Sequence, residues 1–222
     1  MIKVIYFFHR KKNLPVEEFQ NNWKVTHGPL VRRIPGVRRY VQCHTLLSGY
    51  QRPTPPALDG VEEIGFDSPA ALASAEKTPE WRAARADLDR FVDPGRLKCI
   101  VTKEILIKEG DIHEGMVKNI ELVNRKASMT LEDFHRYWQE FHGPLAAKIE
   151  MIKRYVQSHT LMSEYKKDKP PAYDGIAETW FDDTAAMRRS ATTPEYTATR
   201  ADEKNFLAGE LPFIITREVR MI

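Results

Sequence analysis

Phe19-Gln-Asn-Asn-Trp23-Lys-Val-Thr-His27-Gly-Pro-Leu30 returns 115 residues later as Phe134-His-Arg-Tyr-Trp138-Gln-Glu-Phe-His142-Gly-Pro-Leu145. The spacing of four places Phe, Trp and His along one stripe of a helix, and its recurrence makes the chain a tandem repeat. Outward from this stretch the register holds without a gap. Arg39-Tyr-Val-Gln42 meets Arg154-Tyr-Val-Gln157, His44-Thr-Leu46 meets His159-Thr-Leu161, and Asp59-Gly60 meets Asp174-Gly175. Phe66-Asp67 meets Phe181-Asp182, Thr78-Pro-Glu80 meets Thr193-Pro-Glu195, and Arg85-Ala-Asp87 meets Arg200-Ala-Asp202. Duplication within one gene explains the pattern, with repeats at 1–107 and 116–222 joined by a charged, Gly-containing linker at 108–115.

Within each repeat the hydrophobic period switches in a fixed order. Residues 2–8 and 117–123 predict a first strand. A helix then opens at Pro15 in one copy and at Thr130, an N-cap with Asp133 behind it, in the other, and Gly-Pro is expected to interrupt it. Residues 37–46 and 152–161 alternate as a second strand, and a Pro-rich loop leads to a third at 60–66 and 175–181. A second helical region and a last strand, 98–107 and 213–222, complete a β-α-β-β-α-β unit, the ferredoxin-like order of an α+β protein. Two helices on one face of such a sheet leave the other face bare. The second copy is the obvious cover, which predicts an intramolecular eight-stranded α+β barrel.

Composition sets outer limits. A hydrophobic content of 42% suits an ordinary core. The formal charge of +3 comes from 34 basic and 31 acidic residues dispersed along the chain, so no basic tract points to nucleic acid or an anionic membrane. No apolar run reaches the roughly 20 residues that span a bilayer. Cys43 and Cys99 have no cysteine counterparts in the second repeat, which argues against a disulfide framework and for a reducing, cytoplasmic setting.

The ordered string Phe19-x3-Trp23-x3-His27-Gly-Pro-Leu30, Arg39-Tyr-Val-Gln-x-His44, Asp59-Gly60, Phe66-Asp67 and Asp87-x3-Phe91, with its second copy, resembles the EthD-like family of the dimeric α+β barrel superfamily. The resemblance implies the barrel. For function it implies a wide field, since that superfamily holds polyketide cyclases, dehydratases, muconolactone isomerases, quinone-forming monooxygenases and haem-handling proteins.

Strand parity assigns faces. Ile5 and Phe7, with Ile120 and Leu122, are expected beneath the helices. Tyr6 in one copy and Asn119 and Glu121 in the other then face a pocket. Tyr40, Gln42 and His44 share one face of the second strand, as do Tyr155, Gln157 and His159, opposite Val41, Cys43 and Thr45. Glu63 and Glu178 are placed with them, and Trp180 adds bulk to the second pocket. A neutral imidazole removes protons near pH 7, a carboxylate orients it, and a phenol or amide holds an oxyanion. His44 and His159 are therefore candidate bases, Glu63 and Glu178 orienting groups, and Tyr40 and Tyr155 donors, with packing as the competing reading of the strand histidines.

His27 and His142 lie on the helix stripe, where capping a free carbonyl competes with a part as acid or donor in the pocket. Asp87 and Asp202, two residues after an arginine, read as solvated or structural charges, and Trp23 and Trp138 as core. No His-x3-His or Cys-x2-Cys pair suggests a metal, and no phosphate loop or nucleophile motif is present, so no cofactor is assigned; His44 or His159 would be the axial ligand if a haem were held. The second pocket, with its additional acid, is the preferred active one. The expected function is a cofactor-independent lyase or isomerase, dehydratase- or cyclase-like, acting on a small aromatic or polyketide-like molecule. Its rivals are an accessory protein that binds a hydrophobic metabolite and a cofactor-free monooxygenase. A homodimer of fused barrels is compatible with the sequence.

Overall fold

A computed structural model describes residues 1–222. The chain divides into two compact units, one formed by Met1–Thr102 with Glu218–Ile222 and the other by Lys103–Arg217. Each has the ferredoxin-like order that the periodicities predict, so the fold class is α+β, built on repeated β-α-β-β-α-β units.

In the first unit β1 (Ile2–Phe8) leads to helix α1, which runs through Val16–Asn22, a π turn at Trp23–His27 and Gly28–Arg32. Strands β2 (Val37–Thr45) and β3 (Gly60–Phe66), helices α2 (Pro69–Ala75) and α3 (Pro79–Phe91), and the start of β4 (Lys98–Lys108) follow. The strands lie in the order β4-β1-β3-β2, with β3 antiparallel to both neighbours. Along the edge of β2, Met221 and Ile222 of the same unit exchange backbone hydrogen bonds with Tyr40.

The second unit repeats the plan with β5 (Val117–Val123), α4 (Leu131–Tyr137, a π turn at Trp138–His142, then Gly143–Ala147), β6 (Arg154–Thr160), β7 (Gly175–Phe181), α5 (Thr184–Ser190), α6 (Pro194–Glu203) and β8 (Phe213–Arg220). Its strand order is β8-β5-β7-β6. Helix starts follow local chemistry. Ser68, Thr78, Thr130, Asp183 and Thr193 each accept a hydrogen bond from a backbone N–H of the first turn, and Pro69, Pro79 and Pro194 open helices where no N–H is needed.

Gly-Pro does not end the first helix of either unit. Pro29 has no N–H and its ring crowds the carbonyl four residues back, and the helix accommodates it by widening: Gly28 N–H donates to Trp23 O, five residues earlier. The loosened Trp23 carbonyl takes a second donor from the strand below, Gln42 Nε2 at 2.9 Å, and Trp138 O receives Gln157 Nε2 at 2.8 Å. That contact turns the Tyr-x-Gln-x-His face of β2 and β6 toward the helices.

Each core is aromatic and lies between sheet and helices. Trp23 packs against Phe8 and Phe19 with ring centroids 4.9 and 5.7 Å apart; Trp138, Phe134 and Phe206 form the second core. Gly60 is required by this packing, since a Cβ there would stand 2.4 Å from the Trp23 ring. The helix-facing side of β1 is thus Val4, Tyr6 and Phe8, and Ile5 and Phe7, expected beneath the helices, lie on the other side. All seven residues of β1 are buried, and in a strand covered on both faces hydrophobicity does not tell one from the other.

Candidate functional site

The helix-facing side of each sheet carries a polar chain among the aromatics. In the first unit β3 sets Glu62 opposite Tyr6 on one neighbour and Gln42 on the other. Its carboxylate accepts Tyr40 Oη at 2.7 Å and Trp23 Nε1 at 3.1 Å, and His27 Nε2 lies 3.3 Å away. His27 Nδ1 is bonded to Asp87 Oδ2 at 3.1 Å. Burial works against the His27 charge, but Glu62 at one ring nitrogen and Asp87 at the other outweigh it and raise the pKa to about 9. Burial would likewise raise Glu62, and His27, Tyr40 and Trp23 together bring it below its usual value. With Arg85 4.8 Å over the Tyr6 ring, the space beneath the helices shrinks to about 10 Å³, room for about one water.

The second unit keeps this frame and removes its filling. Ala177 stands at the place of Glu62, Glu121 at that of Tyr6, Asn119 at that of Val4, Thr179 at that of Ile64 and Ala146 at that of Val31. A cavity of about 370 Å³ opens between sheet and helices, within the size range of small-molecule sites.

His142 lines this cavity. Its Nδ1 is bonded to Asp202 Oδ2 at 2.9 Å, and Asp202 Oδ1 in turn accepts Tyr137 Oη at 2.7 Å and Asn205 Nδ2 at 2.9 Å. Burial would raise the Asp202 carboxyl; those three partners bring it below its usual value. As an ionised acceptor it fixes the Nδ1–H tautomer of His142. Burial lowers the His142 pKa despite Asp202, so the ring is neutral near pH 7 and its Nε2 lone pair has no Glu62 to meet. Tyr155 Oη accepts Gln157 Nε2 at 3.0 Å and, without the acceptor that Tyr40 has, keeps its proton for the cavity. From α6, Arg200 Nη1 contacts Glu203 Oε1 at 2.7 Å and Glu121 Oε1 at 3.8 Å. Burial raises Glu121 against the pull of Arg200. Burial and the nearby Glu121 charge raise Glu203 to about 7.

Of the residues that the sequence singles out, the cavity brings together His142, Tyr155, Asn119 and Glu121. His44 and His159 sit elsewhere. Each ring stacks on a tryptophan, 4.5 Å from Trp23 and 4.4 Å from Trp138, with Nε2 bonded to Gln42 at 3.0 Å or Gln157 at 2.9 Å. Burial drives their pKa values to about 4 and about 3, and neither lines either of these two cavities. Gln42 and Gln157 are committed to the π-turn carbonyls and these histidines.

Glu63 and Glu178 are on the opposite sheet face, so parity placed them wrongly with the pocket: Glu63 pairs with Lys3 at 3.1 Å and Glu178 with Lys118 at 2.7 Å. Trp180 shares that face, with Lys118 Nζ 4.6 Å from its ring, and does not line the cavity. The pocket itself lies beneath the helices, not on the face expected to be bare. Sequence reasoning missed Asp202 as the partner of His142, Glu203 and Arg200 as lining, and Glu62 as the carboxylate that closes the first unit. The constant separation of 60 residues, His27 to Asp87 and His142 to Asp202, was the signal for the first of these.

The EthD domain profile matches residues 11–95 and 126–210, one match in each unit. The chain belongs to the EthD family. A curated relative, an uncharacterised 11.0 kDa protein in the thcB–thcC intergenic region of Rhodococcus erythropolis, is 28% identical over 91 residues, 40% of this EthD protein and 84% of the relative. An anthrone oxidase-like protein of known structure superposes with a TM-score of 0.67 over 98% of this chain and 91% of its own, at 12% identity. A Fusobacterium nucleatum protein named provisionally as a monooxygenase gives 0.61 over 100% and 92%, at 10% identity. These likenesses extend to the fold. No helix of the protein is long and apolar enough to cross a membrane.

Proposed function

We propose that the second EthD repeat is an acid–base site of lyase or isomerase type, dehydratase- or cyclase-like, that acts on a small aromatic or polyketide-like molecule without a cofactor. The observation that carries this reading is the neutral His142, held by Asp202 at 2.9 Å, with Nε2 open to a 370 Å³ cavity. His142 Nε2 takes a proton from carbon or a phenolic oxygen, and Asp202 stabilises the resulting imidazolium. Tyr155 Oη donates to the oxygen on which charge develops. In an isomerisation the proton returns to a second carbon of the same anion; in a dehydration the anion expels hydroxide, which leaves as water with a proton from the site. The first repeat, with His27 neutralised by two carboxylates and no room for a ligand, serves as scaffold.

A panel of hydroxylated bicyclic ketones, followed by absorbance with and without oxygen, tests this. Turnover without oxygen uptake, lost in His142→Gln, is the expected result. The likeness to an anthrone oxidase-like protein supports a second reading, oxidation of a deprotonated phenol by O2, which uses the same base and predicts oxygen consumption matched to product. Tight binding with no turnover of any panel member favours the accessory-protein role instead.

A further inference from the structure

Acid outweighs base around the second-repeat cavity, whose hydroxyls at Tyr155, Thr179 and Tyr196 can donate or accept. His142 Nε2 offers a lone pair. Asn119, 7% exposed, lines the cavity with its Oδ1 buried and without a hydrogen-bond partner. Glu121 on β5 and Glu203 on α6 line it too, and both lean on the single guanidinium of Arg200, at 3.8 and 2.7 Å. The hydroxyls of Thr199 and Ser190 are spent on backbone carbonyls of Glu195 and Met187.

The comparison within the chain sharpens the point. At the places of Asn119, Glu121 and Glu203 the first repeat has Val4, Tyr6 and Leu88, while Arg85 is repeated as Arg200. The half that opened a cavity therefore added two carboxyls and an amide oxygen around an unchanged cation. One guanidinium cannot neutralise two carboxylates, so an entering anion meets net acid. A hydroxyl finds the His142 Nε2 lone pair waiting, and leaving that lone pair dry and unpaired is unfavourable.

We infer that the wall formed by Asn119, Glu121 and Glu203 makes this cavity a receptor for uncharged molecules bearing two or more hydroxyl donors and excludes their carboxylate analogues. The inference rests on reading the cavity as the ligand site of the proposed function, and it is independent of whether His142 performs catalysis. Glu203, raised to about 7 by burial and the nearby Glu121, fits it: two acids crowd one cation, and above pH 7 the wall carries net negative charge.

Calorimetric titration of the whole protein at pH 8, above the Glu203 value of about 7, with a matched pair, dihydroxynaphthalene and hydroxynaphthoate, tests the wall. The dihydroxy compound binds more tightly by about tenfold or more. In the double variant Glu121→Gln, Glu203→Gln the ratio falls to within about threefold, and Glu203→Gln alone, the milder change if the double variant does not fold, reduces it part of the way. Equal or tighter binding of the naphthoate by the native protein, absence of binding by both probes, or an unchanged ratio in a folded Gln variant overturns the inference. His142→Gln separates the two claims. Retained preference with undiminished turnover in that variant removes the proposed base and leaves the receptor wall standing.

Discussion

Ala177 occupies the β7 position that corresponds to Glu62 on β3, and this exchange, with those at Tyr6, Val4, Ile64 and Val31, separates a sealed unit from an open one. With the carboxylate, the helix histidine is a buried cation between two anions. Without it, the same histidine on the same aspartate is a neutral base facing empty space. The two units are thus a paired comparison, inside one chain, of what the EthD frame is and what is grafted onto it.

Returning the carboxylate should occupy His142 and block the cavity beside it. Ala177→Glu is expected to raise the His142 pKa, toward the His27 value of about 9, and to abolish ligand binding; NMR titration of the imidazole with calorimetry on the same sample checks both. The reverse change, Glu62→Ala, strips a buried charge of its partner and should destabilise the protein by about 3–5 kcal/mol, read from denaturant unfolding.

Asp202→Asn should leave the fold intact and impair chemistry. An amide cannot stabilise the imidazolium and need not select the Nδ1–H tautomer, and in comparable dyads such a change lowers turnover by up to about 10⁴-fold. The check is kcat against KM: a loss mainly in kcat marks a group acting through His142.

Stability should fall on both sides of neutrality, for opposite reasons. The folded pKa of His27, about 9, exceeds the unfolded value near 6.5. Its contribution is full below pH 6.5 and disappears as pH rises through 9, roughly 3 kcal/mol by linkage. His44 and His159, at about 4 and about 3, are depressed. Their contribution is full above pH 6.5 and is lost as pH falls toward 3. Denaturant midpoints from pH 3 to 10 check the sign, and His27→Gln should flatten the alkaline arm alone.

Gly60→Ala and Gly175→Ala should each lower Tm, because the added methyl would meet Trp23 at 2.4 Å or the Ser158 carbonyl at 2.5 Å. Overpacking of this kind costs about 1–3 kcal/mol, and calorimetric scans of the two variants measure it.

The architecture was legible because it depends on periods and repeats: Phe19, Trp23 and His27 at spacings of four, and the recurrence at 115, define helix, order and duplication. Faces were harder. Strands buried on both sides carry no polarity alternation, so Glu63, kept in both copies, reads as a pocket group, although its identity reflects the pairing with Lys3. The informative position was its neighbour Glu62, which is not kept. Agreement between the copies marked the shared frame, His142 and Asp202 included, and the differences at Val4, Tyr6, Glu62 and Leu88 marked the cavity. Asp202 escaped because an aspartate near an arginine reads as a surface charge until the π turn of α4 is seen to bring His142 against it.

The most direct measurement is kcat/KM for His142→Gln relative to the native protein on a turned-over hydroxylated bicyclic ketone, with His159→Gln alongside. The account predicts a fall of about 10²–10⁴-fold for His142→Gln and a much smaller change for folded His159→Gln; native-like turnover by His142→Gln would contradict it.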